Sequence, residues 1–388
     1  MDFVFHNGDI PLKTPKFVLS MQLRRLHLIN FKNHEELVWQ FTHINCITGP
    51  NGAGKTNVLD AIHYLSLCKS YFNSTDLQNI RHEEGFFMCA GNYDDSGEAI
   101  ALQLGVKRNV RKTIKKNGAE YDKLAQHIGL IPLVIITPFD IQLVYESGEG
   151  RRRFMDTILS QTDASYLEAL QQYNRLLDQR NRQLKQFAER NNFNSTLLET
   201  YNQQLAPLAQ AVYKKRKDFF SSFIPVFREK YALISDSAET AGIDYESQLH
   251  QAGFLALMEE NLRRDTALER TTAGPHRDDL DFTLDGRPVK RFASQGQTKS
   301  FVIALKLAQY EYLKENTDKK PLLLLDDIFE KLDALRAAQL MELVAGEGFG
   351  QLFITDTHRE RLRGVFENLG LEPSYFHLGA EEAVTANP

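Results

Sequence analysis

The spacing of apolar residues changes character twice along the chain, near residues 160 and 270. Up to about 160 the period is short. Leu23, Leu26 and Leu28 open a strand-like run at Met21, and residues 21–48 read as two strands around the polar turn Asn30-Phe31-Lys32-Asn33-His34. His43-Ile44-Asn45-Cys46-Ile47-Thr48 has the β-branched content of a short buried strand. Val58, Leu59, Ile62, Leu65 and Leu67 then recur with a helical period. A loop over 71–80 leads to short strands expected at 86–91 and 99–106, and residues 130–137 form a continuous apolar run suited to a strand buried on both faces.

Between 161 and 270 Gly and Pro become scarce, and Leu, Gln, Arg and Glu dominate. Leu170, Tyr173, Leu177, Leu184 and Phe187 follow a heptad-like spacing. After the break Asn191-Asn192-Phe193-Asn194, the run Thr196-Leu197-Leu198-Glu199 has the form of a capping box. Leu197, Tyr201, Leu205, Leu208 and Val212 carry a second periodic run, so the stretch predicts an antiparallel helical hairpin. Each leg of about 25 residues would reach roughly 40 Å.

From 271 onward the pattern is again β-like. Leu280-Asp281-Phe282-Thr283-Leu284 alternates ahead of an Asp285-Gly286 turn. A helix follows to Leu313, then the apolar strand Leu322-Leu323-Leu324-Leu325 and a last strand, Gln351-Leu352-Phe353-Ile354-Thr355. The fold class is α/β, divided into 21–160, a helical arm over 161–270, and 271–388. Residues 1–20 carry Asp2, Asp9 and two prolines without a long apolar core, which is not a secretory signal. They read as an extension outside the core from an upstream start codon, the alternative being an edge strand around Phe17-Val18-Leu19.

Composition narrows the class without deciding it. With 388 residues, 42% hydrophobic and 25% charged, the chain has the make-up of a soluble globular protein. No apolar run approaches the roughly 20 residues that cross a bilayer. Cys46, Cys68 and Cys89 lack metal spacing and fit reduced thiols in a cytoplasmic compartment. A net charge of −5 gives no global basic signature, so any nucleic-acid contact must come from a local patch.

Chemistry enters between the first buried strand and the first helix. Gly49-Pro50-Asn51-Gly52-Ala53-Gly54-Lys55-Thr56 reads G-x-x-x-x-G-K-T, the phosphate-binding loop of a nucleotide hydrolase. Its glycines let backbone amides turn toward phosphates, and the helix N-terminus adds its positive end. Lys55 would reach the β- and γ-phosphates of ATP, and Thr56 would hold Mg²⁺. The strand at 322–325 ends in Asp326 and Asp327; the first would help hold Mg²⁺ and the second orient or deprotonate the attacking water. Ser294-Gln295-Gly296-Gln297 opens a helix, with Ser294 able to cap it and Gly296 permitting close approach to an anion.

Three basic stretches leave alternatives open. Lys107, Arg108, Arg111, Lys112, Lys115 and Lys116 make six of ten residues before Asn117-Gly118, either a ribbon for a phosphate backbone or a lysine-protected edge strand. Arg151-Arg152-Arg153 can hold a phosphate or pair with carboxylates. Lys214-Lys215-Arg216-Lys217 is a solvated face or a DNA contact. Lys32 is either near the nucleotide or a solvated turn residue. His358 is either a γ-phosphate sensor or a helix cap.

In order, these motifs resemble the ATPase heads of the ABC class, particularly the subclass shared with SMC proteins. Phe31-Lys32-Asn33, Gly274-Pro275-His276-Arg277-Asp278-Asp279, Ser294-Gln295-Gly296-Gln297 and Leu324-Leu325-Asp326-Asp327 are similar to the RecF family of bacterial DNA replication and repair proteins. The resemblance runs from about Met21 to the C-terminus. It implies an ABC/SMC-type P-loop head folded from both chain ends, with an inserted helical arm. Two heads would close around ATP, each nucleotide loop facing Ser294, Gln295, Gly296 and Gln297 of the other copy. It implies a slow, DNA-stimulated ATPase that binds gapped, junction or single-stranded DNA as an ATP-dependent homodimer. RecO and RecR would be partners and RecA an indirect one, in recombinational repair and the SOS response, in a bacterial, nucleoid-associated setting. Departures are Ala293-Ser294-Gln295-Gly296-Gln297 in place of Leu-Ser-Gly-Gly-Gln, and Asp327 where ABC proteins carry glutamate. Asp356 or Thr357 stands at the strand-end histidine position, and Gln142 is an uncertain Q-loop glutamine. The competing reading is an SMC-like structural ATPase head not dedicated to gap repair, which should carry an arm of hundreds of residues.

Overall fold

A computed structural model describes residues 19–235, 239–330 and 334–379. The expected extension lies almost wholly outside these residues, as do Lys331, Leu332 and Asp333. Leu19 and Ser20 are within them, and they pair in parallel with Lys319 and Lys320.

The chain opens with three strands where the sequence suggested two before the nucleotide loop: β1 (Leu19–Phe31), β2 (His34–Gln40) and β3 (Ile44–Thr48). Helix α1 (Lys55–Leu67) follows. Next come β4 (Phe86–Asp95), β5 (Glu98–Lys107), β6 (Thr113–Lys116), β7 (Ala119–Glu120) and β8 (Leu133–Ile136). Helices α2 (Gln142–Tyr145) and α3 (Gly148–Thr162) lead to the long pair α4 (Ala164–Arg190) and α5 (Ser195–Ser235). The chain returns through β9 (Ala241–Glu246), α6 (Phe254–Glu260) and α7 (Leu262–Leu268) to β10 (Asp279–Leu284) and β11 (Arg287–Pro288). It finishes with α8 (Val289–Phe292), α9 (Gln295–Thr317), β12 (Lys319–Lys320), β13 (Leu322–Leu325), α10 (Ala334–Val344), β14 (Leu352–Asp356), α11 (Arg359–Asn368) and β15 (Ser374–His377).

Five strands form a parallel sheet in the order β15-β3-β14-β13-β8. Its side chains alternate between two separate apolar cores. Val134, Ile136, Leu323, Leu325 and Ile354 face one core, built with α3, α5, α9, α10 and α11. Leu133, Ile135, Leu322, Leu324 and Phe353 face the other, shared with α1 and the sheet of β1, β4, β5 and β6. Burial on both faces is what requires unbroken apolar runs here. The mixed sheet runs β12-β1-β4-β5-β6-β7, with β2 also on β1. No helix among the described residues is long and apolar enough to cross a membrane.

The arm is a helical hairpin with unequal legs. At 27 residues α4 matches the expected length, whereas α5 has 41 and carries Pro207 and Pro225 inside it. Its outer half packs on α4 through Leu198, Leu205 and Ala209; its inner half buries Phe219, Phe220, Phe223, Phe227 and Tyr231 in the head core. Asn194, rather than Thr196, meets the first turn, its side-chain oxygen accepting the Leu197 N–H at 2.9 Å. Not all of 161–270 is helical, because β9 pairs antiparallel with β10.

Buried ions lock the arm to the head. Arg216 turns inward from its basic run and is 1% exposed. It donates to Asp156 at 2.8 Å, to Asp278 at 2.7 Å and to the Pro275 carbonyl at 2.7 Å. Tyr245 donates to the same Asp278 carboxylate at 2.6 Å. Farther out, Arg180 joins Asn202, Asp265 and Thr271 at 2.7–2.8 Å. Removing one member of such a buried set strands its partners' charge, at about 3–5 kcal/mol. Arg216→Met should therefore lower the unfolding free energy measured in urea by an amount in that range, while Lys217→Met, on the exposed side of the same helix, should leave it unchanged.

Candidate nucleotide site and signature helix

The loop between β3 and α1 is held by its glycines and braced from outside. Gly49 has φ 151°, and a Cβ there would fall 2.2 Å from the Leu378 carbonyl oxygen, so only glycine fits. Gly54, with φ 103°, starts α1 without a side-chain cap, which leaves the first-turn N–H groups directed at the loop. The Asn30–His34 turn supports this geometry: the Asn33 amide donates to the Ala53 carbonyl at 3.0 Å, and His34 Nε2 lies 3.2 Å from the Gly54 carbonyl. Lys32 does not reach the loop. Its ammonium sits 2.6 Å from Asp60 of α1, over the rings of Phe31 and Phe72.

Lys55 is buried, and its Nζ donates to the carbonyls of Gly49 at 2.9 Å and Pro50 at 3.2 Å. Beside it the Thr56 hydroxyl donates to Asp326 at 2.9 Å. Thr355, from the end of β14, donates to the same carboxylate at 2.8 Å. Strand β14 separates β13 from β3, so Asp326 reaches Thr56 across a neighbouring strand. Burial pushes the Asp326 carboxyl up to about 6, against the pull of the Thr355 and Thr56 hydroxyls. Asp327 follows in the left-handed region with φ 42°, its N–H donating to Thr355 Oγ1 at 2.9 Å. Among the described residues no group of three or more His, Cys, Asp or Glu could hold a metal ion. The Thr56–Asp326 oxygen pair nevertheless fits Mg²⁺, which is commonly held by one or two protein oxygens together with phosphates.

Ser294 occupies the N-cap of α9. Its Oγ accepts the Gln297 N–H at 3.2 Å, and Gln297 Oε1 accepts the Ser294 N–H at 2.6 Å, a reciprocal capping box. The Gln297 amide also donates to Glu239 at 2.5 Å. Ser294 and Gln295 are exposed and Gly296 is half-buried, whereas Phe301 to Leu305 are core. One helix therefore presents an open N-terminus at the surface and anchors it in the largest core.

The remaining candidates divide. Lys107, Arg108, Arg111 and Lys115 are exposed. Lys112 is not part of that ribbon: it pairs with Asp76 at 2.8 Å and donates to the Cys68 carbonyl. The edge reading weakens as well, because β6 lies between β5 and β7. Arg151 pairs twice with Asp279, at 2.6 and 2.9 Å. His358 stands at the N-cap of α11 with its N–H on Asp356 and its side chain exposed, and Gln142 is exposed at the start of α2. Sequence reasoning did not single out Thr355, Arg216 or Arg180. The first sits in an apolar strand as its one hydroxyl, a signal that was available.

A family model for the RecF/RecN/SMC N-terminal domain matches residues 22–373. The DNA replication and repair protein RecF of Flavobacterium johnsoniae is 46% identical over 359 residues, covering 92% of this chain and 100% of that protein. Its counterpart in Phocaeicola vulgatus is 45% identical, covering 92% of this chain and 96% of that one. A solved structure of the recombination mediator protein RecF-ATP in the RecFOR pathway aligns with a TM-score of 0.83 at 28% identity, covering 92% of this chain and 96% of the other. The chain belongs to the RecF family of DNA replication and repair proteins, and its fold is that of an ABC/SMC-type ATPase head.

Proposed function

We propose that this protein is an ATP-gated, DNA-binding dimer in which hydrolysis acts as a slow timer. The observation that carries the reading is the exposed, Ser294-capped N-terminus of α9 on a head that also presents a complete nucleotide loop. Residues 49–56 would cradle the phosphates of ATP, with Lys55 exchanging its loop carbonyls for phosphate oxygens. Thr56 and Asp326 would hold Mg²⁺, which supplies charge stabilisation at the phosphates when bound. Ser294, Gln295, Gly296 and Gln297 of a second copy would close on the γ-phosphate, their helix N-terminus favouring its charge. ATP would thus bind the closed dimer better than open monomers, which is the differential affinity that gating needs. Asp327 would orient the attacking water, its side chain one methylene shorter than glutamate and turnover correspondingly slow.

The closed dimer would hold gapped, single-strand–duplex junction or single-stranded DNA, with Lys107, Arg108, Arg111, Lys115 and Lys116 as phosphate contacts. RecO and RecR would act with it, aiding RecA loading and the SOS response in the bacterial cytoplasm. Family membership and the RecF-ATP relative support this role. An SMC-like structural head is less well supported, since α4 and α5 together make a short arm.

The first test is mass in solution with no nucleotide, ADP or ATP·Mg²⁺, with and without a gapped duplex. An ATP-specific monomer-to-dimer shift is expected, and a nucleotide-independent mass would refute gating. Ser294→Arg should bind ATP as the wild type does yet stay monomeric; Lys55→Ala should lose ATP binding; Asp327→Asn should accumulate the closed dimer with turnover reduced at least tenfold.

Asp326 provides a check that needs no nucleotide. Its folded-state value of about 6 lies above the ordinary 3.8, so the folded protein holds this proton more tightly than the unfolded chain. The resulting destabilisation is absent below about pH 4, grows as pH rises to about 6 and is constant above, reaching about 3 kcal/mol. Asp326→Asn should raise the urea midpoint of the nucleotide-free protein at pH 7.5 and lose that advantage near pH 4. An advantage that does not change with pH would contradict the linkage.

A further inference from the structure

At the base of the arm, an open cavity of about 640 Å³ lies between the end of β9 with residues 245–251, helix α7, and the loop over 270–279. Arg264, Arg270 and Arg277 line it, coming from three separate places in the sequence. All three are exposed. Among the described residues none forms an ion pair, although Arg277 donates weakly to the Thr271 carbonyl at 3.4 Å. The carboxylates nearby are almost all committed elsewhere: Asp265 to Arg180, Asp278 to Arg216 and Asp279 to Arg151. Of the two acids in the lining, Glu246 forms no ion pair among the described residues, so three guanidiniums meet one uncommitted carboxylate. Partial burial, and then the charges of Arg270, Arg152 and Arg264, hold the Arg277 guanidinium below its ordinary range.

We propose that this cavity is a second nucleic-acid contact, which takes backbone phosphates of duplex DNA at the root of the arm. It rests on the DNA-binding reading above and assigns to it a surface separate from the β5–β6 ribbon. Arginine suits the task, because its planar fork matches phosphate oxygens and stays charged at any working pH. Gln248 and Gln251 add neutral amide donors around the same space. An acidic protein segment would meet the same charge, but specific protein interfaces centre on a buried apolar cluster. Here Tyr245, His250 and Leu268 are the large apolar or aromatic residues in the lining; His250 and Leu268 are exposed, and the three do not form such a buried centre. Tyr245 is already stacked on Tyr213 and Phe220, and His250 packs against Tyr213 and Tyr245, which leaves little for bases to stack on, so backbone contact is favoured over single-strand base recognition.

The test uses the full chain, ATP and a labelled 30-base-pair duplex, with affinity measured across a salt series. The triple variant Arg264→Gln, Arg270→Gln, Arg277→Gln should bind at least tenfold more weakly at 0.1 M salt. The slope of log affinity against log salt should become shallower by about 2–3, since each lost phosphate contact removes about 0.9. Glu246→Gln should move affinity in the opposite direction, a gain that misfolding cannot mimic. The ATP-dependent change in mass should be retained in both variants, so a failure of gating is read separately from a failure of this surface. Unchanged affinity and slope in the triple variant would overturn the proposal, including the case in which the variant loses only a protein partner. So would a wild-type chain that dimerises with ATP but does not bind the duplex.

Discussion

Burial of the parallel sheet on both faces is the constraint from which the rest of the head follows. Strands β3, β8, β13 and β14 can carry almost nothing but apolar side chains, because each successive residue enters one core or the other. Polar chemistry is therefore displaced to the strand ends. Thr48, Thr137, Asp326 and Asp356 all stand at or just past the C-terminal ends of strands, where side chains leave the cores and reach the loops. This is where open α/β sheets place their ligands. The desolvation that makes the strands stable also raises the Asp326 carboxyl, so the neighbourhood that builds the sheet disfavours the ionised form of its acid.

The same constraint explains what could be read in advance. A Leu322-Leu323-Leu324-Leu325 run ending in Asp326 and Asp327 has few structural solutions, and residues 49–56 fit between a strand and a helix in only one way. At the signature stretch the capping role of Ser294 was legible, whereas the return bond from Gln297 appears only in the structure. Heptad spacing found the arm, and Tyr173, Leu177, Leu184 and Phe187 are indeed buried in it. Its length was not legible. Pro207 and Pro225 argue locally against a continuous helix, and the aromatic packing of Phe219, Phe223 and Phe227 in the head core overrides them.

Charged residues were the least readable class. Lys112 and Arg216 sit within basic runs that look solvated, and Lys32 sits in a turn beside the nucleotide loop. Their partners are Asp76, Asp156 and Asp278, and Asp60, contributed from elsewhere in the chain. Nothing in the spacing of a lysine or arginine distinguishes one aimed at a distant buried carboxylate from one aimed at water. The Gly274-Pro275-His276-Arg277-Asp278-Asp279 run shows the same effect from the acidic side. Its two aspartates hold Arg216 and Arg151, which makes the run a joint between arm and head.

Helix α5 runs from arm tip to head core, and Arg216 ties it to the head about halfway along, so any tilt of the helix would be amplified toward the tip. About 21 residues extend beyond that point toward Ser195, roughly 30 Å at 1.5 Å per residue. A tilt of about 10° imposed on the embedded aromatic end would sweep the tip through roughly 5 Å by that same rise. A tilt of that size, were repacking around α9 to impose it, would displace the tip by more than the rise between neighbouring phosphates of one DNA strand, about 3.4 Å.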